Sequence, residues 1–491
     1  MLAGVLGPFA TYSPRSIEIL RIYEINTRAH CRSFADITDS ELIEISRLGF
    51  DAIWPMGVWQ ISEGARRLSK VISEDYEGSP YAIPDYKFNS DLGGRSGFRA
   101  LVKRAHVAGL KVIVDFVSNH MAIDSPWISK HPDFFIRNNP AARERTTGDY
   151  FLHKSGEVVA FGRDPYFPPW HDTSQLDYTS AGLRSHVIEV LRWISRHADG
   201  VRCDMAMLAL RDYIRQYWYP GASDSWLAER MPGEFWKEAI DSVKDSAPDF
   251  LFIAEAYWDK EEYLLNLGFD LVYEKKLYDG LVSGNIQLIN ERLSRPLELL
   301  RASLCFTENH DEARIASLFS RARNLAAAAL ILSLPSSVLI HEGQMEGKRE
   351  KLPVQRLRPL HAEPVDAAIK IAYTYLLQAT SEEVFREGSF AMFEGGPGLV
   401  SFLRQNSSRV VGYFGQVSDH WQKFNTIDLN LSPLAHALGA HKRMRVTNLL
   451  TSTTGILEQK GEGFFLRAGQ LSVDDETRFC LVEVSLDHQG A

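Results

Sequence analysis

VIVDFVSNH, at 112–120, is an apolar run that ends in an acid, an amide and an imidazole. A strand that buries such a stretch and delivers polar groups at its carboxyl end builds one wall of a pocket. Three more runs repeat the pattern: GVRCDMAML (200–208), FIAEAYW (252–258) and CFTENHDE (305–312). Together they carry the carboxylates Asp204, Glu255 and Asp311, the guanidinium of Arg202, and the imidazoles of His120 and His310.

Outward from these runs, short β-branched or aromatic stretches alternate with amphipathic helical ones from about residue 18 to 381. The strands read as ILRIYEINT, FDAIWPM, KVIVDFV, GVRCDMA, FLFIAEA, FDLVYE, ASLCFTE and SVLIHEG. Helical patterns such as ITDSELIEISRLG and AGLRSHVIEVLRWISRHA lie between them. In SGFRALVKRAHVAG, Ser96 reads as the N-cap and Gly109 as the residue just past the helix end. Eight strand–helix units predict a parallel (β/α)8 barrel with its site at the carboxyl ends of the strands.

The alternation breaks once, after the third strand. Residues 121–179 are rich in Pro, Asp and aromatics and too long for a bare loop, which predicts an inserted small subdomain over the barrel mouth. The long stretch at 59–92 is a second candidate wall. The expected catalytic barrel is therefore 1–120 with 180–381. Beyond 382, short strand-like runs separated by Gly, Ser, Asn and Asp turns predict an antiparallel β-sandwich over 382–491 with no helix of consequence.

The chain has 491 residues, 45% hydrophobic and 24% charged, values typical of a globular protein. A net charge of −9 and the absence of a basic stripe argue against nucleic acid as a partner. The longest apolar run, NLAAAALILSLPSSVLI (324–340), is interrupted by Pro335 and falls short of a membrane span. MLAGVLGPFA lacks the features of a signal peptide, so the expected location is cytoplasmic. Cys31, Cys203, Cys305 and Cys480 are widely spaced and suggest neither a disulfide framework nor a zinc site. The sequence carries no reading of oligomeric state.

Arg202 and Asp204 are two apart on a strand, so their side chains leave the same face. A guanidinium there is expected to lower the carboxyl pKa and keep Asp204 ionised, as a nucleophile requires. Taken alone, the pair also reads as a buried structural ion pair. Glu255, followed by Tyr257 and Trp258, is expected to be desolvated, which suits a general acid. Adjacent barrel strands can hold two carboxyls the ~5–5.5 Å apart that double displacement at a glycosidic bond requires. Asp311 can stabilise positive charge at an anomeric carbon, and His120 and His310 can donate to the same ring. Each histidine alone reads more readily as a packing residue than as a ligand, and two at the strand ends of one barrel mouth shift the reading towards a ligand role.

In this order, DFVSNH, GVRCD, Glu255 after an apolar run, and ENHD resemble the four signature segments of the α-amylase family of glycoside hydrolases. GSPYAIPDY (78–86) with LGG (92–94) is similar to that family's segment for the first sugar subsite. The resemblance covers nearly the whole chain. It implies Asp204 as nucleophile, Glu255 as general acid/base and Asp311 as transition-state stabiliser. It also implies Arg202 orienting Asp204, Asp115 supporting Arg202, His120 and His310 on the sugar, and Tyr81 as a stacking platform with Asp85 nearby. The substrate it implies is an α-glucoside or α-glucan.

The chain departs from the family pattern in three places. Calcium-dependent members carry an acidic ligand where TSQLD (173–177) has Gln175, so no metal is expected at the site to which Asn119 would contribute. Starch-cleaving amylases carry Lys-His shortly after the nucleophile, where this chain has Met207 and Leu208. Met205, just after Asp204, does not report linkage. The sequence thus predicts a retaining enzyme on α-glucosidic bonds and leaves hydrolysis, glycosyl transfer and disaccharide isomerisation open. An inactive sugar-binding homologue is the alternative of another class, and the complete acid set argues against it.

Overall fold

The structure is a computed structural model describing residues 18–137, 147–357, 361–418, 423–439, 443–461, 463–471, 473–474 and 476–486. The N-terminal stretch read above for a signal peptide lies outside the described residues, as do parts of 121–179 and 382–491. The eight predicted strands all form. They are β1 (Arg21–Asn26), β2 (Ala52–Met56), β3 (Lys111–Val117), β4 (Gly200–Asp204), β5 (Leu251–Ala254), β6 (Leu271–Tyr273), β7 (Ser303–Cys305) and β8 (Ser337–His341). Each pairs in parallel with its sequence neighbour, and β1 with β8 closes the barrel.

The barrel interior explains why one end is polar. Ile22, Trp54, Ile113, Ile253, Leu271 and Leu339 fill it as one buried cluster. Side chains repeat every second residue on one face of a strand, so the next inward positions up are Glu24, Asp115, Glu255 and Tyr273. On β4 the inward column is Gly200, Arg202, Asp204. Apolar side chains thus plug the lower barrel and polar ones crown its carboxyl end. The outer strand faces pack against helices such as Gly94–Val107, Ala181–Ile194, Phe235–Lys244 and Arg321–Ser333.

Helix Gly94–Val107 corrects one expectation. Its cap is Gly93, at φ 107°, with no side-chain cap, and Ser96 sits inside the first turn. The left-handed Gly93–Gly94 pair turns the chain into the helix without a side-chain acceptor. Gly109, at φ 81°, follows the helix end as expected.

Between β3 and β4, strand His120–Ala122 pairs antiparallel with Thr173–Gln175, and Tyr150–Leu152 with Val158–Ala160. After the barrel, eight antiparallel strands form one sheet that folds over its own core, with Phe414, Leu429, Val446, Leu457 and Val482 inside. A short helix, Ser432–Ala437, also lies there, where no helix of consequence was expected. Its Leu434 packs against the sheet at Gly412. The opposite face of the sheet joins the barrel's helical layer, where Tyr413 Oη donates to Ala326 O at 2.8 Å and Arg404 Nη1 to Ser333 O at 3.0 Å.

Among the described residues, no helix is long and apolar enough to cross a membrane. The run 324–340 is instead divided between helix Arg321–Ser333 and β8. All four cysteines are buried free thiols.

Candidate active site

A cavity of about 1020 Å³ opens at the carboxyl end of the barrel. Of the predicted site residues, Tyr81, His120, Asp204, Glu255 and Asp311 line it. Arg202 lies beneath, fully buried, with Nη1 2.9 Å from Asp204 Oδ1 and Nη2 2.9 Å from Glu255 Oε2. The second contact lacks hydrogen-bond alignment and acts as a contact between charges. The guanidinium sits 5.3–5.6 Å from the ring centres of Trp54, Tyr81 and Tyr273. Its Nη1 is 3.6 Å from Asp115 Oδ1. Asp115 in turn accepts from Trp54 Nε1 at 3.2 Å, and burial lifts it to about 6 against the pull of Arg202.

The electrostatics of Asp204 reverse the expectation drawn from sequence. Burial and then the neighbouring Glu255 carboxyl push it up to about 8, and Arg202 only partly opposes them. One cation divided between two buried acids does not hold both ionised. Nor is Glu255 in a purely apolar pocket. Its Oε2 accepts the Met205 N–H at 2.6 Å and its Oε1 accepts the Tyr257 hydroxyl at 2.7 Å. Met205 reaches that position at φ 43°, left-handed for a non-glycine residue.

Across the cavity, His310 is clamped by Glu24 Oε1, 2.5 Å from Nδ1, and Asp311 Oδ2, 2.9 Å from Nε2. Burial alone would lower this imidazole, but the two carboxylates hold it well above its usual range. Burial would likewise raise Asp311, and His310 and Arg202 hold it well below the usual carboxylate range instead. Asp311 keeps 44% of its side chain exposed and reaches into the open mouth. Tyr81 stacks on His310 with ring centres 5.4 Å apart and places its hydroxyl 2.6 Å from Nε2. Burial pushes His120 down to about 4, which leaves it neutral, edge-on to Trp170.

Arg202 and His310 sit buried behind the lining residues, and Asp85 points away from the cavity altogether. It accepts from Trp127 Nε1 at 3.1 Å and pairs with Lys87 at 3.1 Å. With Pro84 fixing the backbone between them, the chain turns after Tyr81 and sends Asp85 towards the insertion's first helix, Pro126–Lys130, which carries Trp127. Met207 and Leu208 are both buried, and Met205 faces the cavity in their place.

Several lining residues were not singled out as site residues from sequence. Phe167 and Trp170 come from GRDPYFPPW in the insertion, and Trp258 from the segment after Glu255. Trp258 packs edge-on against Tyr166 at 4.8 Å, joining the two walls. The proline- and aromatic-rich composition of GRDPYFPPW is the signal that could have marked it. Lys275 and Lys276 have no local signature and reach the site only through the barrel's closure.

The donor set around Asn119 does not fit a calcium ion. Gln175 Nε2 points at Asn119 O, Asn119 Oδ1 and Leu176 O, at 3.0, 2.9 and 3.2 Å. An amide nitrogen sits where a cation would gather those oxygens, and the group contains no carboxylate.

A parallel barrel with acids gathered at its carboxyl end is the architecture of a barrel enzyme. A model of the alpha-amylase catalytic domain matches residues 37–369, and the chain belongs to the alpha-amylase family of glycoside hydrolases. It is 26% identical over 361 residues to alpha-amylase MalA of Haloarcula japonica, covering 71% of this chain and 47% of that protein. It is 23% identical over 361 residues to alpha-amylase 3 of Dictyoglomus thermophilum, covering 67% of this chain and 64% of that protein. The chain thus spans from about half to just under two thirds of the length of these relatives. In fold it is similar to the crystal structure of an alpha-amylase from Lactobacillus plantarum (TM-score 0.69, 22% identity, 94% of this chain and 98% of that one).

Proposed function

We propose that this protein is a retaining enzyme of α-glucosidic bonds in oligosaccharides or α-glucans. The observation that carries this reading is the single guanidinium of Arg202 in contact with both Asp204 and Glu255, with Asp311 across the cavity. Asp204 attacks the anomeric carbon while Glu255 gives a proton to the departing glycosidic oxygen. Asp311 and the His310 imidazolium hold the sugar as its ring gains positive charge. Glu255, now a carboxylate, takes a proton from the incoming water or sugar hydroxyl, and the glycosyl–Asp204 bond breaks. No step passes through a metal.

Hydrolysis is the primary reading. Glycosyl transfer is the second, favoured by the exposed ring faces of Tyr166 and Phe167 near the cavity mouth, which offer a surface on which an acceptor sugar can stack. The four buried, unpaired cysteines fit a reducing compartment such as the cytoplasm.

Product analysis on maltooligosaccharides, isomaltose, sucrose and trehalose tests the reading. Wild-type enzyme should release products with retained anomeric configuration. Asp204→Asn and Glu255→Gln should each lower kcat by about 10³-fold or more. Inverted product, or full activity in either variant, overturns it.

A further inference from the structure

A second cavity, of about 470 Å³, lies between the helices that follow β7 and β8. Helices Arg321–Ser333 and Ala367–Ala379 both begin at it, so two positive helix ends meet there. Asn324, fully buried in the first of these helices, lines the cavity with an amide that has a donor to spare. The surrounding hydrogen bonds fix which end of that amide is free. Gln344 Oε1 accepts the His341 N–H at 3.1 Å, so Gln344 Nε2 is the end that donates to Tyr373 Oη at 3.0 Å. The Tyr373 hydrogen then goes to Asn324 Oδ1 at 3.2 Å, and no protein acceptor reaches Asn324 Nδ2. A buried donor left in this way costs free energy until an acceptor arrives.

The charges around the cavity favour an anionic acceptor. Asp366 is already engaged: Oδ1 accepts from Ala368 N and Ile369 N at 3.1 and 3.2 Å, and Oδ2 takes Arg321 Nη2 at 2.8 Å. Glu363 Oε2 is held by the N–H groups of Arg349 and Glu350, at 2.7 and 3.1 Å. The guanidinium of Arg349, at the same cavity, has no carboxylate partner among the described residues.

We propose that this cavity binds a small phosphorylated ligand of sugar size, whose phosphate pairs with Arg349 and accepts from Asn324 Nδ2, with Arg321 beside it. A cleft of this volume takes a small organic molecule rather than a bare ion, and Phe319 and Ile369 offer its carbon skeleton an apolar wall.

The cavity is walled by the two segments that also serve the catalytic site. The segment after β7 carries Asp311 and Glu312 into the catalytic cavity and Phe319 into this one. The segment after β8 carries Gln355 into the first and Arg349 into the second, and its Lys351 donates to Asp311 O. Arg314 ties the two together, donating from Nη1 to Glu308 Oε1 at 2.6 Å and to Glu342 O at 2.7 Å. Gly347, at φ 69°, lets the second segment pack on the helix start, since a Cβ there would lie 2.9 Å from Ile369 Cδ1. The bound ligand thus braces both segments without touching the catalytic acids.

Calorimetric titration of the full chain at constant ionic strength tests the site, with glucose 6-phosphate and inorganic phosphate as probes. Glucose in both syringe and cell keeps a site that reads sugar alone already filled. Glucose 6-phosphate should bind with one equivalent, more tightly than inorganic phosphate, and should raise the melting temperature. Arg349→Ala, at an exposed position, should fold normally, weaken that binding about tenfold or more, and lose most of the rise. Asn324→Asp keeps an acceptor for Tyr373 Oη and replaces the free donor with an acceptor, so it should abolish binding. If that buried variant does not fold, Arg349→Ala decides. No heat at millimolar glucose 6-phosphate, or equal affinity in wild type and Arg349→Ala, overturns the site. Inorganic phosphate binding as tightly as glucose 6-phosphate overturns the sugar-sized occupant. None of these outcomes depends on the roles proposed for Asp204, Glu255 and Asp311.

Discussion

Arg202 reaches from β4 to β5 and brings its Nη2 to 2.9 Å from Oε2 of Glu255, while its other terminal nitrogen stays on Asp204. A planar fork can serve two carboxyls at once, and a lysine ammonium cannot. Arg202→Lys should therefore lower kcat by roughly 10²–10³-fold with a much smaller change in KM, read by steady-state kinetics. Arg202→Met should in addition cost about 3–5 kcal/mol of stability, because it leaves two buried acids without their cation. Denaturant unfolding measures that loss.

The acid pair also fixes a pH limit. Below the value of about 8 to which burial and Glu255 raise Asp204, the pair holds a proton, and above it that proton is lost. Protonating the glycosidic oxygen requires it, so kcat/KM should fall about tenfold per unit above roughly pH 8. His310 and Asp311 are shifted away from this window in opposite directions and should add no limb between pH 5 and 8. The same shift acts on stability. The folded state binds this proton and the unfolded state, with an ordinary carboxyl, does not. Stability should therefore decline as pH rises from about 4 to 8, and Asp204→Asn should flatten that slope in melting temperature.

The sequence made the barrel legible because its eight strands are apolar runs with a period of two, and the inward column of each can be read off directly. Asp311 lies in the loop six residues beyond β7, out of step with the inward Leu304 and Phe306, whereas the positions of Asp204 and Glu255 follow from that period. Their protonation does not, because it depends on how far Arg202 is shared across a strand boundary, and that is a distance between chain-distant atoms. Asp85 is placed by a local turn that spacing does not encode: after Pro84 it bonds Trp127 Nε1 rather than entering the pocket beside Tyr81. Tyr257 was noted only as an aromatic neighbour of Glu255. Whether its hydroxyl points at the carboxyl or at solvent is a rotamer, which no spacing encodes.

Gln175 offers a test of the family's cation site. Adding calcium or a chelator should leave the wild-type melting temperature unchanged. Gln175→Asp would set a buried carboxylate against Asn119 Oδ1 and two carbonyl oxygens in place of the amide donor. The metal-free variant should lose about 2–4 kcal/mol, and millimolar calcium should restore much of it. Calorimetric melts with and without calcium decide the point. A wild-type melting temperature that falls on chelation would sink the idea.

Gly200 sets the spacing on which the Arg202 bridge depends. A Cβ there would lie 2.7 Å from Leu251 Cβ and 2.9 Å from Leu251 O, across the β4–β5 pairing of Gly200 with Leu251. Gly200→Ala must therefore push the two strands apart at their start, at a cost of about 1–3 kcal/mol. Two residues further along, the shift would lengthen the reach from Arg202 to Glu255, so activity should drop by roughly 10-fold or more. Leu251→Ala in the same chain cannot relieve the clash, because it leaves both the Cβ and the carbonyl oxygen in place. The double variant should accordingly recover neither stability nor rate, and parallel melts and kinetics on the two proteins check both.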